Sequence, residues 1–173
     1  MRVWLTLGCA AALVAVAACN RGEDPPPPAD NEAAANAADA DGIDVARIMH
    51  DRHERYEQIG DAMKGISSQL KSNSPSLETI RGHSALIARY APQVIDWFPP
   101  GTGPETGRET RAKAVIWQDF DTFRQRARAF ATEAAEFDRA AQGGNLQAIR
   151  AAQRELGESC RNCHDRFRAP EDD

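Results

Sequence analysis

Four mostly apolar stripes, recurring at steps of three and four residues, constrain this chain more than any other feature. Side chains at those separations stack on one face of an α-helix. The first stripe runs Val45, Met49, Arg52, Tyr56, Ile59, Met63, Ile66, Leu70. The second runs Leu77, Ile80, Ser84, Ile87, Ala91, Val94 and ends at Trp97-Phe98-Pro99-Pro100. The third runs Ala112, Ile116, Phe120, Phe123, Ala127, Phe130, Ala134, Phe137, Ala141, up to Gly143-Gly144. The fourth runs Leu146, Ile149, Gln153, Leu156, Cys160, Cys163, Phe167 and stops near Pro170. Asn73-Ser74-Pro75, Pro99-Pro100-Gly101 and Gly143-Gly144-Asn145 separate them, and Ser76 and Asn145 suit helix N-caps. Four helices with short connections predict an all-α fold, an antiparallel four-helix bundle. Residues 43–173 are enough for one such domain with a real core. The phenylalanines of the third stripe are read as core packing.

The fourth stripe carries Cys160-Arg161-Asn162-Cys163-His164. Cys-x-x-Cys-His is the attachment signal of a c-type haem. Two thiols three positions apart share a helix face, so both add across the vinyl groups of one porphyrin. The adjoining His164 brings an imidazole beneath the same ring as an axial iron ligand. A zinc site would need a second cysteine pair, which the chain lacks, and a redox dithiol would sit at a helix start after a strand. One covalent haem c, held by Cys160 and Cys163 inside the bundle with one edge toward solvent, is the expectation.

The chain begins with a targeting segment, residues 1–18, in which Arg2 precedes an apolar run too short for a comfortable membrane span. Its end, Val16-Ala17-Ala18-Cys19, resembles a bacterial lipoprotein box, with Cys19 left to carry lipid. The alternative is ordinary cleavage after Ala15-Val16-Ala17. With Cys9 removed in the leader, Cys19 lipidated and Cys160 and Cys163 on haem, no cysteine remains for a disulfide. Residues 19–42, with Pro25-Pro26-Pro27-Pro28 and an Ala/Asn/Asp run, cannot bury enough apolar surface to order and are read as a tether. In the tether Arg21 stands against six carboxylates. Most of the chain's net charge of −5 therefore lies there, the domain is near neutral, and no nucleic-acid partner is expected.

Arg52 is the exception on its stripe. A guanidinium on an apolar face is costly unless it meets an anion, and a haem propionate would supply one in two-pronged geometry. The competing reading is that Arg52 reaches out to water at a wide point of the bundle.

With these residues placed, the chain resembles the cytochrome c' family, the four-helix (class II) c-type cytochromes, over essentially all of residues 44–169. The likeness rests on Gly157 to Arg168 around the haem motif, on Phe98-Pro99-x-Gly101, on Ala112-Lys113-Ala114-Val115-Ile116-Trp117, and on Arg52, Tyr56 and Ile59-Gly60. The resemblance implies thioethers at Cys160 and Cys163, proximal ligation by His164, Arg52 near a propionate, and Arg168 flanking the proximal imidazole. It places Tyr56 on the distal side of the iron and implies haem attachment outside the bacterial cytoplasm. Low-spin relatives carry Met at the distal position as sixth ligand, whereas high-spin members carry a non-ligating residue and admit NO or CO. A neutral phenol, with its pKa near 10, is a poor ligand, so Tyr56 points to an open sixth position. Met63, His50, His53 and His83 are the other ligands weighed. Met63 lies two turns from Tyr56, and lone histidines on bundle helices are usually rim residues.

The expected function is a periplasmic, lipid-anchored c-type cytochrome that carries electrons and binds NO or CO without acting as an enzyme. Redox proteins of the periplasm or membrane would be its partners, the membrane would be touched only through the lipid, and the family pairing through helices one and two implies a homodimer. The alternatives are a six-coordinate electron carrier and a haem protein with NO-detoxifying or peroxidase-like activity.

Overall fold

The computed structural model describes residues 44–170, so the expected leader, tether and Cys19 lie outside the described residues. The chain forms α1 (Val45–Lys71), α2 (Leu77–Tyr90), a 3-10 segment (Ala91–Trp97), a short 3-10 turn (Pro104–Thr106), α3 (Val115–Gln118), α4 (Phe120–Gly143) and α5 (Leu146–Phe167). The four long helices are those that the stripes predict. Asp44, Ser76 and Asn145 cap α1, α2 and α5, with Ser76 Oγ accepting from the Thr79 N–H and Asn145 Oδ1 from Gln147 and Ala148. Gly144 ends α4 at φ 74°, in the left-handed region that suits glycine.

Two boundaries differ from the periodicity. The second stripe runs unbroken to Trp97, but α2 ends at Tyr90. Pro92 has no N–H for the helical ladder, and the backbone tightens into the 3-10 segment from Ala91 onward. The third stripe crosses Asp119, yet the helix breaks there at φ −132°, ψ 56°. The Asp119 carboxylate accepts from the Thr122 N–H and starts α4 afresh.

The stripes meet in one core, where Phe123, Phe137, Ile66, Ile80, Ile87, Ile116, Ile149 and Leu156 are fully buried. Each contributes roughly 1.5–3 kcal/mol relative to exposure. α1 packs on α2, α2 on α4, and α4 on α5. The remaining side of the bundle, between α1 and α5, has no comparable backbone packing. A long hydrogen bond from Gln153 Nε2 to Ser67 Oγ (3.4 Å) spans it near the end where α1 finishes and α5 begins. The other end gathers the start of α1, the 3-10 segment, the loop from residue 98 to 114 and the last turn of α5.

Candidate haem centre

Cys160 and Cys163 lie on the inner face of α5, half-buried against the core, and neither is in a disulfide. Burial raises the Cys160 thiol pKa, and burial with the neighbouring Cys160 pushes Cys163 up to about 11. Both are therefore neutral thiols at neutral pH. Across the open side of the bundle, Tyr56 of α1 is within electrostatic reach of both. Burial first, then Cys163 and Cys160, drives its phenol well above the usual value, so it stays protonated.

His164 is exposed one residue beyond Cys163. Partial desolvation, then the guanidinium charges of Arg168 and Arg111, lowers its pKa and favours the neutral imidazole that an iron ligand must be. The turn carrying it is pinned from outside. Lys113 N–H donates to Phe167 O (2.9 Å), Ala169 N–H to Arg111 O (2.7 Å), and Ala112 and Arg168 form an antiparallel bridge. Arg168 caps α5 with its N–H on His164 O at 2.9 Å, and its charge acts on the imidazole.

Arg52 does not reach water. It is 4% exposed, which removes the snorkelling alternative. Its Nη1 donates to Trp97 O (3.3 Å) and Thr102 Oγ1 (3.2 Å), and its Nη2 to Thr102 O (2.9 Å) and Thr110 Oγ1 (3.5 Å). The guanidinium stacks on Phe98 at 4.6 Å from the ring centroid. The buried cation is thus met by loop oxygens and an aromatic face, a solution the stripe does not suggest because Thr102 and Thr110 lie in a loop some fifty residues away. Arg52 also acts on the wall around Tyr56, since Trp97 and Phe98 are the rings that Tyr56 meets, at 5.3 and 6.3 Å.

The three histidines weighed as ligands lie away from the cysteines. His50 and His53 are exposed, with His53 beside Glu57 at 3.8 Å, and His83 lies over Gly65 between α1 and α2. Met63 lines a shallow depression with Lys64, Ser67, Ser68 and Lys71. Arg111, which acts on His164, and Trp97, which walls Tyr56, were not among the candidates; their roles arise from contacts distant in sequence.

The residues present fit a porphyrin. Two neutral thiols point from one helix face toward a side of the bundle that its helices leave unpacked, a neutral imidazole follows them, and apolar and aromatic groups stand opposite. Such a site would attach and bury a haem, with the His164 imidazole beside it.

A sequence-family model described as Cytochrome C' matches residues 47–168. The chain is 31% identical over 140 residues to a cytochrome c' of Cereibacter sphaeroides, covering 79% of this chain and 89% of that one. A solved cytochrome c' described by an unusual ligand-controlled dimer dissociation superposes with a TM-score of 0.70 at 24% identity, covering 75% and 99% of the two chains. A nitric oxide complex of a mutant cytochrome c' from Alcaligenes xylosoxidans superposes with a TM-score of 0.65 at 23% identity, covering 73% and 97%.

Proposed function

Since the chain belongs to the cytochrome c' family, whose members carry one covalent c-type haem, we propose that it is a gas-binding electron carrier with an open distal iron position. The observation that carries this reading is Tyr56, a phenol on α1 that stays protonated within electrostatic reach of Cys160 and Cys163 and packs against Trp97; on the distal side such a group would wall the iron without ligating it. Cys160 and Cys163 hold the porphyrin through thioethers, and His164 donates its imidazole nitrogen to the iron. Arg111, Lys113 and Arg168 fix the turn that aims His164. The haem supplies the redox couple and the binding place for NO or CO. The nitric oxide complex of the Alcaligenes relative supports a diatomic ligand, and the ligand-controlled dimer supports a homodimer that responds to it.

Export fits the lipoprotein-like Val16-Ala17-Ala18-Cys19 and the covalent haem. The protein acts in the periplasm from a lipid on Cys19, handing electrons to redox partners there or at the membrane, by binding and transfer and not by catalytic turnover. The test is the optical spectrum of the ferrous holoprotein before and after CO. A high-spin Soret band that shifts on adding gas is the expected outcome. A low-spin spectrum indifferent to CO would overturn the open position and leave a six-coordinate electron carrier.

A further inference from the structure

The chain has two tyrosines, and both stand in one stack on either side of Trp97. The Tyr56 and Trp97 ring centroids are 5.3 Å apart at 89°, and those of Trp97 and Tyr90 5.9 Å apart at 76°. One end of the stack faces Cys160 and Cys163 across the haem side. At the other end, Tyr90 is the last residue of α2, and its hydroxyl donates to Oε1 of the exposed Gln58 at 2.9 Å. Trp97 between them is 3% exposed.

Packing alone would be served as well by phenylalanine, the residue that fills the core at Phe123, Phe130 and Phe137. Tyrosine and tryptophan differ from it in being the aromatic side chains most easily oxidised. Tyr56 also meets Phe98, which leads on to Phe123 and Trp117, but phenylalanine does not take up an oxidising equivalent under comparable conditions. The oxidisable route from the haem side to the surface therefore runs Tyr56, Trp97, Tyr90. Arg55 lies over the Trp97 ring at 5.5 Å, and its charge disfavours a cation on the indole. Asp51, 3.9 Å from Arg55, offsets only part of that. Trp97 is thus a point of transit, and Tyr90, whose hydroxyl donates to the exposed Gln58, is where the oxidising equivalent rests.

We propose that Tyr56, Trp97 and Tyr90 form a relay that drains oxidising equivalents from the haem to the surface when a hydroperoxide reaches the iron. The proposal rests on the open distal position above. Hydrogen peroxide takes up two electrons and two protons, its O–O bond breaks, and it leaves as two waters. One electron comes from the ferrous haem, which ends ferric. The other comes from Tyr90 by way of Trp97 and Tyr56, while the phenolic proton passes to solvent. Peroxide, ferrous haem, tyrosine and one proton from solvent thus give two waters, ferric haem and a neutral tyrosyl radical.

The test adds stoichiometric hydrogen peroxide to the ferrous holoprotein with a nitroso spin trap, then maps adducts by peptide mass spectrometry, with a CO spectrum recorded on each sample. The expected result is an adduct on Tyr90 that falls to background in Trp97→Phe, with damage moved to Tyr56 and the porphyrin. Tyr90→Phe, which removes only a surface hydroxyl, should move the adduct back to Trp97. A Tyr90 adduct undiminished in Trp97→Phe, with CO still binding, would overturn the relay alone. No adduct in a wild-type protein that binds CO would overturn it equally. No adduct together with a CO-indifferent spectrum would overturn both the relay and the open position.

Discussion

Arg52 shows how much one buried side chain can organise. Its guanidinium is stripped of water, and desolvation lowers its pKa, but four N–H groups are aimed at Trp97 O, both oxygens of Thr102 and Thr110 Oγ1. Replacing it with Met keeps the volume but removes the donors to two carbonyls and two hydroxyls, so Arg52→Met should cost about 3 kcal/mol in a urea titration of the holoprotein. Arg52→Lys should recover little of this, because an ammonium cannot serve both edges of the loop with the planar fork. Asp119 is the opposite case, an exposed group whose effect depends on pH. The hydrogen bond with the Thr122 side chain is the largest cause, followed by the Thr122 N–H and Arg166, and together they hold its carboxyl below the usual carboxylate range. A depressed folded-state pKa means stability that is present above the unfolded value, about 3.9, and lost as pH falls through the folded one. Thermal midpoints measured from neutrality down to acid should therefore decline less steeply for Asp119→Asn than for the parent once pH drops below that value. An equal slope would mean that the cap and the Arg166 pair add nothing.

At the level of elements, the four long helices are legible because their apolar positions recur at helical spacing and their caps are local in sequence. Where local chemistry competes with periodicity, the stripe misleads: it runs through Pro92 and Asp119 without a gap, although the first cannot donate to the ladder and the second prefers to cap. The haem motif is legible for the same local reason, its five residues being contiguous. Arg52's partners, the action of Arg111 on His164 and the Tyr–Trp–Tyr stack join residues far apart in the chain, and no spacing rule reaches them. The crossing of α1 and α2 is another such feature. A Cβ on Gly65 would stand 2.4 Å from His83 Nε2, so the imidazole occupies the space a larger residue would take. Alanine in place of a mid-helix glycine is worth about 1 kcal/mol of helix propensity. Gly65→Ala alone should yield less than this because His83 must swing aside, and in a His83→Ala background it should yield the full gain. A double-mutant cycle by chemical denaturation reads the difference as coupling, and additive effects would place the imidazole elsewhere in solution.

Over the described residues the molecule is a bundle with three packed sides and a fourth, between α1 and α5, that its helices leave unpacked. α1 and α5 do not pack backbone to backbone as the other neighbours do, and along that side Tyr56, Met63, Cys160 and Cys163 are only half-buried. A porphyrin placed there buries a few hundred Å² of apolar surface, which at about 25 cal/mol per Å² is roughly 5–10 kcal/mol. That is about the whole stability of an ordinary domain. The haem should therefore act as a wall of the fold as well as its reactive centre. Cys160→Ala/Cys163→Ala, which removes both attachment points, should give a chain that keeps much of its far-UV helical signal but melts broadly and at far lower temperature than the holoprotein. Limited proteolysis should cut that apoprotein first in α1 and α5, the helices that lose their shared neighbour, while α4, buried against α2, stays protected. A sharp melt close to the holoprotein's, with no preference for α1 or α5, would mean that the two helices close on each other without haem. The fourth side would then be a slot that the cofactor enters and not one that it builds.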